Sequence, residues 1–282
     1  MSEAAAVPRR KNFTRELTSI AGAPILIWLV GWAPPLAYVL TIAILAALVL
    51  YELLDLGEKK GYPVQKPLSI ALLFLLLGGF VLEAISVEPV IVATMLIIPA
   101  WYVFARTDLE EALPASAVSI LGVLYVGMLA GALLRLRLEF GEQGPKLVFF
   151  LFLVVWAGDA GAYYVGRNFG RRPLSHRVSP KKTIEGTVGG IAVSILAAAA
   201  IQRTFFPEFP LLHALLAAGI LSASGVVGDL VESMWKRSAA VKDSGTSLPG
   251  HGGFLDRSDS ILFTAPILYF YWTLLVRAGG PV

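Results

Sequence analysis

Residues 34–54 read PPLAYVLTIAILAALVLYELL. As an α-helix this run rises about 32 Å, enough to cross the ~30 Å hydrocarbon core of a bilayer. Its apolar residues are continuous. A transmembrane β-strand would instead alternate over about ten residues. The preceding "APP" at 33–35 marks a turn, because proline interrupts a helix and restrains the residue before it.

The rest of the chain agrees. Of 282 residues, 56% are hydrophobic and only 15% are charged, with a mean hydropathy of +0.72. A soluble domain of this length would expose too much apolar surface, so the composition predicts an integral membrane protein. Candidate spans lie near 19–33, 34–54, 68–82, 89–106, 114–134, 146–166, 187–204, 211–232 and 260–277. The first and third are short. The expected fold is all-α, a polytopic helical bundle with about nine transmembrane helices. Arg9, Arg10, Lys11 and Arg15 before the first run resemble the start of a signal peptide. No small-residue cleavage site follows, which predicts an uncleaved first span. There is no cysteine, which excludes disulfides, thiol catalysis and cysteine metal sites.

The net charge of +3 is less informative than its distribution. With the N-terminus inside and nine spans, 18 of the 23 lysines and arginines fall on the inner side, as the positive-inside rule requires. Two inner loops, near 167–186 and 233–259, carry most of the polar chemistry. Residues 1–145 therefore read as transmembrane scaffold, and 146–282 as the catalytic region.

Four stretches need explaining. In VVWAGDAGAYYVG, Asp159 falls inside a span, where an ionisable group costs about 2.5–3.5 kcal/mol. It is either a satisfied polar residue in a small-residue packing patch or an acid lining a polar cavity. The basic loop that follows favours the cavity. In GVVGDLVESMWKR, 225–237, a helix would align Asp229, Glu232, Ser233 and Lys236 on one face. A Glu232–Lys236 ion pair at a helix end accounts for Glu232 but not for the deeper Asp229.

In SPKKTIEG, 179–186, Ser179-Pro180 suits a helix or turn start, and Lys181, Lys182 and Thr183 offer donors suited to phosphate. The Walker A spacing is absent. In LPGHGGFLDRSDS, 248–260, Gly250, Gly252 and Gly253 permit positive φ and close approach of backbone amides to an anion. Asp256 and Asp259 stand at i, i+3, a pairing suited to Mg²⁺, which takes oxygen ligands. Arg257 suits either an acid or a phosphate. His251 is a ligand, a phosphate donor or a loop residue, and one histidine does not make a zinc site. Acids for Mg²⁺ beside cations for phosphate describe a nucleotide-polyphosphate site.

The run SMWKRSAAVKDSGTSLPGHGGFLDRSD, 233–259, resembles the signature of phosphatidate cytidylyltransferases, also called CDP-diacylglycerol synthases. SPKKTIEG and WAGDAGAYYVGRNFG, 156–170, look like the same family. The resemblance is strong from about residue 146 onward; before that only hydropathy agrees. Ser258 departs from the family's usual apolar residue, and Trp235 is bulkier than expected.

The resemblance implies a homodimeric, multi-pass enzyme of the bacterial inner membrane or its eukaryotic equivalents, and the lysine and arginine distribution places the N-terminus and active-site loops on the cytoplasmic side. It implies the reaction CTP + phosphatidate → CDP-diacylglycerol + pyrophosphate, with Mg²⁺ and a second cation left open. The partners are those substrates and membrane lipids, with no nucleic acid. On this reading Asp229, Asp256 and Asp259 hold Mg²⁺, with Asp159 a further ligand candidate. Lys181, Lys182, Lys236, Arg237 and Lys242 hold the triphosphate or lipid phosphate. Asp243 orients Lys242 or meets the cytosine-ribose, and His251, Gly252, Gly253 and Arg257 belong to the substrate site. Asp256, Asp259, Lys242 and Asp243 are the expected catalytic set. The rivals are a CTP-dependent lipid-alcohol kinase and, from another class, an ion-coupled transporter. Charge gathered at one face, without an internal repeat, argues against transport.

Overall fold

A computed structural model describes residues 22, 24–105, 107–245, 247 and 252–277. The chain is a helical membrane bundle. After a helical stretch over 24–31 (α1) come α2 (Pro35–Lys59), α3 (Lys66–Gly79), α4 (Val87–Phe104), α5 (Leu109–Leu138) and α6 (Gln143–Phe169). A small hairpin, β1 (Pro173–Ser175) and β2 (Ser179–Thr183), leads into α7 (Ile184–Thr204), α8 (Leu211–Ser238) and α9 (Leu255–Tyr271). A π-helical turn, Trp272–Arg277, extends α9.

Seven of these helices are long and apolar enough to cross a membrane: α2, α4, α5, α6, α7, α8 and α9 with its extension. The third candidate span is α3, whose 14 residues rise about 21 Å, short of the hydrocarbon core. The first candidate lies partly outside the described residues.

Helix α5 is the hub. It packs against α2, α3, α4, α6 and α9, and its Val123, Val126 and Leu134 are fully buried. The second half is held by close backbone approach. A Cβ on Gly190 of α7 would lie 2.7 Å from the Gly158 carbonyl of α6. Ser194 Oγ donates to the Val154 carbonyl at 2.9 Å. Small residues take this role between membrane helices because lipid provides no hydrophobic drive to associate.

The structure redraws both predicted loops. Helix α6 runs on to Phe169, and the basic stretch then pairs as an antiparallel hairpin, Pro173 opposite Thr183 and Ser175 opposite Ser179. Ser179-Pro180 thus starts a strand rather than a helix. Helix α8 continues to Ser238, so Lys236 and Arg237 sit in its last turn, where cations offset the helix dipole. The true connection to α9 is only 239–254.

Helix α8 stops with Ala240 at φ 56°. The Ala240 amide donates to the Arg237 carbonyl and the Val241 amide to the Lys236 carbonyl. This left-handed position costs a non-glycine residue about 1–2 kcal/mol. Ala240→Gly is expected to raise the apparent Tm of the detergent-purified protein by a few degrees, read by tryptophan fluorescence.

Candidate active site

A cavity of about 640 Å³ opens where α6 and α8 end and α7 and α9 begin, within the size range of small-molecule sites. Asp159, Lys181, Lys182, Asp229, Asp256 and Asp259 all line it.

Local sequence places each group. Thr183 caps α7, its Oγ1 accepting from the Gly186 amide at 3.1 Å, an arrangement that stabilises a helix start. Glu185 accepts from the Arg171 and Arg172 amides at 3.0 and 3.2 Å. These contacts fix the hairpin to α7 and hold Lys181 and Lys182 at the cavity wall. Lys182 forms an ion pair with Asp229. On α8, a Cβ at Gly228 would sit 2.6 Å from the Phe263 Cβ and 3.1 Å from the Asp259 carbonyl. Glycine here lets α8 and α9 close until Asp229 and Asp259 share a space.

That space holds a third acid. Oxygens of Asp229, Glu232 and Asp259 lie within 4.8 Å of one another. Glu232 is 2% exposed, and its Oε1 is buried with no hydrogen-bond partner. Three carboxylates are the hard donor set of a divalent cation such as Mg²⁺. An orphaned buried oxygen among them is costly without a ligand, so these residues fit a metal ion.

Asp256 contacts Glu232 but is not part of that three-acid group. It accepts from Lys236 Nζ at 2.5 Å, from the Ser244 amide and Oγ each at 3.0 Å, and from the Gly253 amide at 2.9 Å. Three of these contacts fall on Oδ2 and only Lys236 reaches Oδ1, and the single Ser244 hydroxyl proton serves either Asp256 or Glu52. Lys236 also pairs with Glu232 at 2.6 Å. The i, i+3 spacing of Asp256 and Asp259 puts both at the cavity, but Asp256 is committed to the 239–254 connection and only Asp259 joins the acidic cluster.

A second carboxylate holds the same connection. Glu52 of α2, 3% exposed, accepts from Ser244 Oγ at 3.0 Å, Ser247 Oγ at 2.7 Å and the Leu255 amide at 2.9 Å. A Cβ on Gly245 would lie 2.7 Å from its Oε1. Gly252 has φ +83°. Gly252 and Gly253 therefore wrap the chain's own carboxylates and are not among the cavity-lining residues.

Arg237, Lys242 and Asp243 are exposed and lie outside the cavity lining. Arg237 donates to the Val241 carbonyl at 3.0 Å. His251 lies outside the described residues. Trp235 stacks edge-on against Tyr125 of α5, centroids 4.9 Å apart, which accounts for its bulk. Ser258 turns its hydroxyl onto the Phe254 carbonyl at 2.8 Å, so a polar residue fits an apolar position.

Two groups escaped the sequence reading. Glu232 was explained by its ion pair alone, although it shares a helical face with Asp229. Glu52 was visible as a lone acid in an apolar span, a signal of function in itself.

Two variants test this geometry. Gly228→Val should separate α8 from α9 and abolish turnover, while Gly219→Val, on the same helix where the nearest foreign atom would be 3.7 Å away, should retain it. Glu52→Ala strands three donors, two of them hydroxyls able to turn to other acceptors. It should destabilise the protein by about 3 kcal/mol, read as a drop in apparent Tm.

Residues 13–275 match the model of the "Cytidylyltransferase family". The chain is 33% identical over 265 residues to a phosphatidate cytidylyltransferase of Bacillus subtilis, covering 92% of this chain and 97% of that one. It is 35% identical to one of Staphylococcus epidermidis over 80% of this chain and 85% of that one. With one of Synechocystis it shares 38% identity over 57% of this chain and 63% of that one.

Proposed function

This chain belongs to the cytidylyltransferase family, and we propose that it is a phosphatidate cytidylyltransferase, joining CTP and phosphatidate to give CDP-diacylglycerol and pyrophosphate. The observation that carries this reading is one cavity lined by Lys181, Lys182, Asp229 and Asp259, the two aspartates clustered with buried Glu232, whose Oε1 has no hydrogen-bond partner.

The lipid phosphate is a monoester with a second pKa near 6, so it is largely a dianion at neutral pH. It needs no activated serine or cysteine, and the chain contains no cysteine. One of its oxygens bonds to the α-phosphorus of CTP. The bond from that phosphorus to the bridging α,β-oxygen breaks, and pyrophosphate leaves with the electron pair. The barrier is the meeting of two polyanions, so catalysis rests on positioning and charge.

Lys181 and Lys182 supply cations at the cavity wall. Lys182 exchanges its Asp229 contact for a substrate phosphate. Arg257 meets the lipid phosphate from α9. Asp229, Glu232 and Asp259 hold Mg²⁺, with Asp159 facing them across the cavity. When bound, Mg²⁺ offsets charge on the triphosphate oxygens. Asp256 and Lys236 keep the 239–254 connection and Glu232 in place. The excess of lysine and arginine beside this end of the bundle supports a cytoplasmic location for the cavity. The enzyme works as a homodimer in the bacterial cell membrane.

The test uses purified protein, phosphatidate, Mg²⁺ and CTP labelled at either the α- or the γ-phosphate. Label from the α position should enter lipid as pyrophosphate is released. Label from the γ position entering an alcohol lipid would make the protein a kinase instead. Asp259→Asn should cut turnover by about two orders of magnitude or more at saturating Mg²⁺, measured in the same assay.

A further inference from the structure

A second, apolar cavity of about 200 Å³ shares a wall with the polar one. The shared wall is α9. Asp256, Asp259 and Ser260 front the polar cavity, whereas Phe254, Ser258 and Leu262 front the apolar one, and Arg257 and Ile261 border both. At 3.6 residues per turn, Arg257 and Ile261 stack one turn apart on the strip between those faces. The groove passes from this strip along α2, where Val49, Ala46, Ile42 and Tyr38 line it. That stretch of helix is about 16 Å long. Among the described residues Arg257 is the only charged one in the groove's lining, and it stands where the groove meets the polar cavity. The hydroxyl of Ser258 is turned onto its own helix, which keeps the wall apolar.

We propose that this groove holds one acyl chain of the lipid phosphate substrate, and so is the route by which the lipid reaches the cavity. The inference rests on the reading that the polar cavity takes the lipid phosphate. A cationic strip with a phosphate-binding cavity on one side and an apolar groove on the other matches a phosphate-headed amphiphile. The groove's volume suits part of a single chain, leaving the second chain in the bilayer. Binding then depends on chain length as well as on the headgroup.

The experiment uses the wild-type protein in vesicles containing phosphatidate with a diazirine along one acyl chain. After photolysis, peptides are mapped by mass spectrometry. A phosphatidylcholine probe with the same chain serves as control. Adducts should fall between Tyr38 and Val49 and between Ser258 and Leu262, should exceed those of the control about tenfold, and should disappear with excess unlabelled phosphatidate. Adducts confined to lipid-facing positions such as Leu96 and Val103 of α4, or equal labelling of the groove by both probes, would overturn the proposal.

A second arm uses Ala46→Phe. It should lower the ratio of kcat/KM for dioleoyl over dioctanoyl phosphatidate about tenfold; an unchanged ratio in folded protein counts against the groove. Crosslinking needs no turnover. Groove adducts in a protein that fails α-phosphate transfer would retain this inference and sink the proposed reaction, whereas transfer without groove adducts would do the reverse.

Discussion

Lys236 reaches two carboxylates at once, buried Glu232 at 2.6 Å and part-buried Asp256 at 2.5 Å. Burying charges costs several kcal/mol per ion, and a buried pair is tolerable only when its remaining polar atoms are also satisfied. Asp256 has donors on both oxygens, Lys236 on Oδ1 and the Ser244 and Gly253 amides on Oδ2. Glu232 does not, because its Oε1 is buried without a hydrogen-bond partner, and one of its oxygens lies within 4.8 Å of oxygens of Asp229 and Asp259. The lysine thus joins a cavity-lining carboxylate that holds the 239–254 connection in shape to one that belongs to the acidic cluster but is not itself among the cavity-lining residues. The rest of the site is arranged around this division.

The Asp256 side draws on the N-terminal half. Ser244 is shared between Asp256 and Glu52, so a carboxylate of α2 helps to shape a connection nearly two hundred residues away. The first half of the chain is therefore more than lipid-facing scaffold. The Glu232 side depends on closeness. Gly228 lets α8 meet α9, and the paired glycines at 158 and 190 let α6 meet α7. Without these contacts Asp159, Asp229 and Asp259 would be acids on separate helices.

Much of this was legible in the sequence. Apolar runs gave the helices because a backbone in lipid must satisfy its own hydrogen bonds. Asp159, Asp229, Asp259, Lys181 and Lys182 stood out as polar groups at a membrane face, and all five line one cavity. The partition of the acids was not legible. Spacing puts Asp256 and Asp259 on similar faces, but only packing shows that Ser244, Gly253 and Lys236 bond to one and not the other. Likewise, the glycine-rich turn has the chemistry of an anion cradle, and the anions it meets, Glu52 and Asp256, belong to the protein. The basic hairpin was hidden because a strand of five residues containing proline carries little periodicity.

The division of carboxylates is tested most directly by Mn²⁺ binding to purified protein, followed by electron paramagnetic resonance without substrate. Asp229→Asn, Glu232→Gln and Asp259→Asn should each weaken binding about tenfold or more, as expected of lost oxygen ligands, while Asp256→Asn stays within a few-fold of wild type. If Asp256→Asn abolished binding and Glu232→Gln left it intact, Asp256 would be a metal ligand and the division drawn here would be wrong.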